Sequence, residues 1–313
     1  MEFISPKVNI DFVKKMKMAA VISCIIIVIG IISLIAHGGP RWGIEFKGGT
    51  SIQVLFKKPV SAVSLRMSLK EAGFPKTKIQ KIGRGNEFLI YSAKSSSGVK
   101  NVADGIKQAL KSSYGSDFEI RKVDIIGPKI SKDLKKKGIT AMVIAVFAIL
   151  VYVGLRFQFR FATGAVFALI HDVLITITVL SLFNFEFTLD IIAALLMIIG
   201  YSLNDTIVVF DRIRERVRMA KKISKKLAIN RGINEVLSRT ILTSLTTFFI
   251  ILCLFFLGGG VIHGFAFALL IGILSGTYSS IFIASPMLLV FKGELLPPPK
   301  EINLQEKFKV SPD

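Results

Sequence analysis

Cysteine, histidine and acidic residues are all scarce in this 313-residue sequence, and each shortage removes a class of function. The only two cysteines, Cys24 and Cys253, both fall inside apolar runs, so no disulfide framework follows and both read as packed thiols. The three histidines, His37, His171 and His263, are too far apart for a metal-ligand pattern. No G-x-x-x-x-G-K-[ST], H-E-x-x-H or G-x-S-x-G stretch occurs. The chain therefore lacks the apparatus for ATP hydrolysis, zinc chemistry or a serine nucleophile, and the expectation is a non-enzyme without cofactor or metal. If it does work, the available source is an ion gradient, in which one charge crossing the membrane yields about 2.3 kcal/mol per 100 mV.

What the sequence has in quantity is apolar surface: 52% hydrophobic residues, 25 of them Phe, and a mean hydropathy of +0.61. The bilayer must be the solvent for much of it. Apolar stretches long enough to cross a ~30 Å hydrocarbon core occur at 18–36, 138–155, 161–183, 189–210, 240–257 and 264–291. Lys14, Lys15 and Lys17 precede the first, but Leu34 and Ala36 make no small-x-small cleavage site, so it reads as an uncleaved anchor. Basic residues concentrate before residue 18, at Arg156 and Arg160, and over 211–239, whereas loops 184–188 and 258–263 have neither Lys nor Arg. The positive-inside rule then makes both termini cytoplasmic and residues 37–137 external. Lys135, Lys136 and Lys137 run against it locally, but they close a long translocated segment, where the rule weakens.

Residues 37–137 change character, with alternation replacing continuous apolarity. Strands are expected at Thr50–Phe56, Lys78–Ile82, Glu87–Ser92 and Phe118–Ile126, helices at Val60–Ala72 and Val99–Leu110, and a turn at Gly83-Arg84-Gly85-Asn86. The order βαββαβ is that of a ferredoxin-like α+β domain. The organisation is then 1–36 N-terminus and first span, 37–134 external domain, 135–291 five-helix bundle with an amphipathic cytoplasmic loop at 211–236, and 292–313 a mobile tail. Within that loop Ile213, Val217, Ala220, Ile223 and Leu227 make one apolar stripe, which predicts a membrane-surface helix over 211–231. The net charge of +20 would ordinarily point to nucleic acid or anionic lipid. The larger basic segment lies outside the cytoplasm, so the bilayer is expected as a partner and nucleic acid is not.

An ionisable group near the bilayer centre costs on the order of 2.5–3.5 kcal/mol, so each needs a reason. Asp172, beside His171 in the third span, lies about 18 Å from Arg160 along the helix, and Asp205 in the fourth lies about 9 Å from Asp211. Each reads either as a functional acid or as a hydrogen-bonded packing group. In the fifth span Arg239, Thr243, Thr246 and Thr247 share one face, and Arg239 reads either as a snorkelling anchor or as the partner of Asp205. Small residues recur every fourth position at Ala268, Gly272, Gly276 and Ser280, and at Gly164, Ala168, Asp172 and Thr176. They predict a tight bundle of spans three to six around the acids and Arg239.

Several stretches resemble one family. Arg41 to Thr50, RWGIEFKGGT, is similar to the motif after the first span in the SecD/SecF family, with Glu45 where Asp is usual. His171-Asp172-Val173-Leu174, Gly200 to Glu215 (GYSLNDTIVVFDRIRE), Leu237 to Thr247 (LSRTILTSLTT) and Gly276 to Ala284 (GTYSSIFIA) extend the likeness. It implies a six-helix membrane protein of the resistance-nodulation-division type with a periplasmic ferredoxin-like domain, in the bacterial inner membrane. It also implies a separate SecD, the SecYEG translocon, the translocating preprotein and protons as partners, with the proton motive force assisting export. The proton relay it implies is Asp205 with Arg239, supported by Asp172, Asn204, Thr206, Thr243 and Thr247; whether H+ or Na+ is the ion stays open. A proton-driven small-molecule exporter and a non-transporting scaffold are the alternatives.

Overall fold

A computed structural model describes residues 9–82, 85–92, 99–219 and 223–291. Six of its helices are long and apolar enough to cross a membrane. Phe12–Ala36 (α1) starts where Asp11 accepts a hydrogen bond from the Lys14 N–H at 3.0 Å, a capping contact that satisfies one free donor of the first turn. A four-residue helix, Ile44–Lys47 (α2), then leads into the sheet domain.

That domain consists of Gly49–Phe56 (β1), Ala62–Glu71 (α3), Thr77–Ile82 (β2), Glu87–Ser92 (β3), Val99–Tyr114 (α4) and Phe118–Ile126 (β4). The sheet order is β2-β3-β1-β4 with every pair antiparallel, the ferredoxin-like arrangement. Ile52, Val54, Phe56, Phe88 and Ile90 point to one face and bury against Leu65 and Leu69 of α3 and Ile106 and Leu110 of α4. The β2–β3 turn expected at 83–86 lies partly outside the described residues, and the tail expected at 292–313 lies wholly outside them.

The remaining spans are Pro128–Arg156 (α5), Phe159–Leu182 (α6), Leu189–Met219 (α7), Lys225–Leu257 (α8) and Gly259–Ser279 (α9). After α9 a π turn, Ser280–Ala284, leads into Ser285–Val290 (α10). Proline at the start of α5 suits a first turn, and the basic run Lys132 to Lys137 is part of that helix, so the link from the sheet domain into the bundle is stiff. The π turn precedes Pro286, and Ser285 donates its hydroxyl to the Ser280 carbonyl at 2.9 Å.

The small-residue stripes are where helices approach most closely. A Cβ on Gly272 would stand 2.2 Å from Ile198 of α7, one on Gly276 3.0 Å from Ser202, and one on Gly164 2.9 Å from the Ala284 carbonyl in the π turn. The bundle so formed encloses Asp172 and Asp205 but not Arg239, which is exposed on α8.

Two further expectations are corrected. Residues 211–231 are not one surface helix: α7 runs on to Met219, Ile223 and Ser224 are non-helical, and Ser224 caps α8 by accepting from the Leu227 N–H at 3.3 Å. Glu235 of α8 holds Arg212 (2.5 Å) and Arg216 (2.6 Å) of α7, and Ile213 packs on Gly232, so the stripe joins two extended spans to each other. Ala220 lies outside the described residues. Cys24 and Cys253 are exposed rather than packed, because both fall on outward faces of α1 and α8.

Candidate functional site: two buried acids

The two intramembrane acids have unlike surroundings. Asp172 on α6 has no exposed surface, and its carboxylate receives four donors. Ser275 (2.6 Å) and His171 Nδ1 (3.1 Å) meet Oδ1, and Ser202 (2.6 Å) and Ser279 (2.8 Å) meet Oδ2. Two oxygens offer about four lone-pair sites, so Asp172 is saturated as an anion. The donors come from α6, α7 and α9, which makes this acid the tie between three spans.

Asp205 on α7 is 3% exposed, and its one hydrogen bond among the described residues comes from Ser244 of α8, at 3.0 Å to Oδ2. Thr277 of α9 stands behind, 2.7 Å from the Ser244 hydroxyl. The neighbouring Thr206 is buried and donates to Ser280 in the π turn at 2.9 Å, while the Ser280 hydrogen goes to the Gly276 carbonyl. The two networks therefore touch α7 one turn apart, at Ser202 and at Asp205–Thr206.

The other sequence-expected residues lie elsewhere. Arg239 makes no ion pair with Asp205, being five residues before Ser244 and so about 140° round α8 from it. Asn204 is exposed, pointing away from Asp205. Thr243 and Thr247 donate to carbonyls of their own helix, and Tyr201 of α7 bridges to both through the Thr243 carbonyl (3.0 Å) and the Thr247 hydroxyl (3.1 Å). Arg239, Thr243, Thr246 and Asn204 thus leave polar groups on the outside of spans α7 and α8. The residues missed in sequence are the hydroxyls: Ser202, Ser244, Ser275 and Ser279 carry the acids' hydrogen bonds. Their only signal was the run of Ser and Thr in otherwise apolar spans.

At the sheet-domain end of the bundle, the stretch after α1 is bonded to the α6–α7 loop. Gly43 N–H donates to the Phe187 carbonyl at 2.8 Å, Phe187 N–H to the Arg41 carbonyl at 2.7 Å, and Arg41 pairs with Glu186 at 3.0 Å. Lys135 of α5 lies 4.1 Å from the centre of the Trp42 ring. Gly48 and Gly49 hold φ of 75° and 134°, a region L side chains rarely adopt, so both glycines are required where α2 turns into β1. Glu45 is half-buried, with Oε2 lacking a hydrogen-bond partner among the described residues; burial pushes its carboxyl up, and Asp190, Asp124 and Glu186 add to the rise against the pull of a backbone N–H.

The family model for the C-terminal region of protein export membrane proteins SecD and SecF matches residues 106–294, and that for the SecD/SecF GG motif matches 33–60. The chain belongs to the SecD/SecF family. Proteins named protein translocase subunit SecF are similar over nearly their whole length. That of Calditerrivibrio nitroreducens is 44% identical, covering 94% of this chain and 97% of its own. The one from Vibrio alginolyticus is 40% identical, covering 94% of each. Among solved structures, SecDF from Thermus thermophilus, described as a translocon-associated membrane protein, matches with a TM-score of 0.81 at 33% identity. The match covers 92% of this chain and 39% of that one, so the chain spans about two fifths of SecDF. SecDF in a super-membrane-facing form matches at the same identity with a TM-score of 0.67 over 91% of this chain and 39% of that one. The GG-motif match includes the glycine pair at 48–49, and the C-terminal match contains both acids.

Proposed function

We propose that this multi-pass membrane protein is the SecF-type accessory subunit of a Sec translocon, using the proton motive force to assist late export of preproteins. In this reading it lies in the bacterial inner membrane with both termini cytoplasmic, residues 37–137 outside, and no chemistry of its own. SecD, SecYEG and the emerging preprotein are its partners.

The observation that carries the proposal is the contrast between the acids. Each Asp172 oxygen is taken up by two hydrogen-bond donors. Asp205 has one donor among the described residues and can lose its charge without stranding a network, as a proton-exchanging group must. Arg239 serves the relay from the outer face of α8. An arginine facing lipid there is costly, and a second six-helix subunit would cover it together with Asn204, Thr243 and Thr246. The main-chain bonds between Gly43, Arg41 and Phe187, together with the continuous α5, give helix movements a route to the sheet domain. The differing TM-scores to two forms of SecDF, at equal identity, support a fold that takes more than one arrangement.

The test is export into inverted membrane vesicles containing SecD and the translocon, with and without a proton gradient. Asp205→Asn and Arg239→Ala are each expected to remove the gradient-dependent part of export while ATP-driven insertion continues and the complex is present at normal level. Wild-type gradient dependence in Asp205→Asn would remove that acid from the mechanism and favour a scaffold.

A further inference from the structure

The arginines at the far end of α7 are sorted by face, and only one face is paired. Arg212 and Arg216 turn to α8, where Glu235 holds both, and Glu215 adds a second carboxylate to Arg212. Arg214 is about 160° round the helix from each of them, and Arg218 follows it one turn on. Arg214 turns instead to the connection between α5 and α6. Its guanidinium carbon is 5.8 Å from the centre of the Phe157 ring, and that of Arg156, the last residue of α5, is 5.3 Å from the same ring. Phe157 is itself buried against Phe161, which fixes the ring between the two cations. Arg156 and Arg218 both repel the Arg214 charge, and Asp211 is the acid that offsets them. None of the three arginines has an ion pair among the described residues, and Arg214 Nε is buried there without a hydrogen-bond partner.

Arg156 alone would be accounted for by the negative end of the α5 dipole. Arg214 and Arg218 are not at such an end, since α5 and α7 are separate helices and Arg214 lies inside α7. The aromatic ring attracts each cation but does nothing to reduce their mutual repulsion, and a charged donor buried without an acceptor is costly. An oxyanion set among the three removes both penalties, and guanidinium groups suit phosphate because they can bond it in pairs. The first turn of α6 begins at the same connection with no side-chain cap at Gln158, which adds positive character. We infer that Arg156, Arg214 and Arg218 form a headgroup site for an anionic phospholipid, whose phosphate meets the guanidiniums beside Phe157 and whose acyl chains lie along Tyr152, Leu155 and Phe159. The position selects a lipid over a free anion. Arg156 closes the apolar span Ile130–Arg156, which is the level of the headgroups, and basic pockets between spans at that level hold anionic lipid. Leu155 and Phe159 on either side of the cluster are 83% and 69% exposed, and Tyr152 is exposed one turn before Arg156, so an apolar surface leads directly away from the charges.

The consequence lies in which helices the lipid joins. It is held on α5 by Arg156 and on α7 by Arg214 and Arg218. α5 is the continuous helix that carries the sheet domain, and α7 carries Asp205, about 13 Å along the axis from Arg214. A phospholipid in this site therefore fastens the two helices together at the end of the bundle away from the sheet domain. Lipid binding does not rest on the proposed function.

The experiment is native mass spectrometry of the full chain in detergent, titrated with phosphatidylglycerol or with phosphatidylcholine of the same acyl chains. Both carry a phosphate diester, but only the first has a net negative charge. The wild type is expected to bind phosphatidylglycerol with a Kd at least about tenfold lower, on the scale of one to two arginines acting on an anionic headgroup. Arg214→Gln with Arg218→Gln is expected to abolish the preference. Arg156→Gln, at an exposed helix end where the fold is not at stake, is expected to weaken it in a second, independent variant. Lys226→Gln with Arg231→Gln takes two charges from exposed positions of α8 and is expected to leave the preference in place. Equal binding of the two lipids by the wild type would overturn the inference. So would an equal loss in the α8 variant, which would mean attraction to the overall charge rather than to a site. Inorganic phosphate separates the two sources of the same chemistry: a headgroup site keeps its lipid in millimolar phosphate, and displacement by phosphate would assign the arginines to a free anion and overturn the lipid site.

Discussion

Asp205 and Arg239 do not meet: the acid is buried against Ser244, and the arginine is exposed on the far side of the same helix. A direct ion pair would require α8 to turn by about 140° about its axis, far beyond a side-chain adjustment. In the isolated chain the two residues should therefore be energetically independent. A double-mutant cycle on unfolding of the purified chain, with Asp205→Asn and Arg239→Ala, is expected to give a coupling within about 0.5 kcal/mol of zero. Coupling clearly above that in the isolated chain would mean that the pair forms without its partner; coupling that appears only with SecD bound is the expected result.

The contrast between the acids predicts opposite tolerances. Asp172→Ala leaves three serine hydroxyls and His171 facing a cavity with no acceptor, a loss of roughly 3–5 kcal/mol by analogy with buried pairs broken from one side. Asp205→Asn keeps an oxygen for Ser244 and is expected to cost under about 1 kcal/mol. Thermal unfolding in detergent measures both. A stable Asp172→Ala protein would show that the four hydrogen bonds are dispensable.

Much of this was legible in the sequence because each signal had a single physical cause. Alternation and turn residues located β1, β3 and β4 to within a residue, since a sheet covered on one face leaves no other pattern. The two acids were conspicuous because charge in an apolar span is costly. What escaped was which way side chains point. Asp205 and Arg239 lie at comparable depth in adjacent spans, and depth alone says nothing of azimuth, which the packing of α9 on α7 at Gly272–Ile198 and Gly276–Ser202 and of α8 on α7 at Gly232–Ile213 decides. The serines were missed for a related reason. A hydroxyl in a helix is satisfied equally by its own backbone, as Thr243 is, or by an acid on another span, as Ser202 is.

Close helix approach gives the third prediction. A Cβ on Gly30 of α1 would fall 2.0 Å from the Thr178 hydroxyl of α6, beside the Ser33–Ser181 contact at 3.1 Å. Gly30→Ala is expected to destabilise by about 1–3 kcal/mol and to loosen α1. Thr178→Ala in the same chain should recover part of the loss by making room. Cross-linking of cysteines placed at 33 and 181 reports the separation; an unchanged cross-link yield in Gly30→Ala would show that α1 is not seated through this contact.

The last prediction concerns Glu45, which lies between the sheet domain and the bundle, its Oε2 without a hydrogen-bond partner among the described residues and its charge opposed by carboxylates of both: Asp124 on β4, Glu186 before α7 and Asp190 at its start. Burial first, and these neighbours next, raise its carboxyl above the ordinary 4.5, so the docked arrangement binds its proton more tightly than a solvated Glu45 does. The sign follows from linkage: the docked state is favoured at pH values below the ordinary carboxylate range and loses that contribution as pH rises through the raised value. Hydrogen exchange of the amides of Gly43 and Phe187, which form the main-chain bridge, should therefore speed up with pH beyond the intrinsic rate increase. Glu45→Gln cannot ionise and is expected to hold the bridge equally well across the range. Should wild type and Glu45→Gln show the same pH profile at those two amides, Glu45 has no part in holding the sheet domain to the membrane bundle.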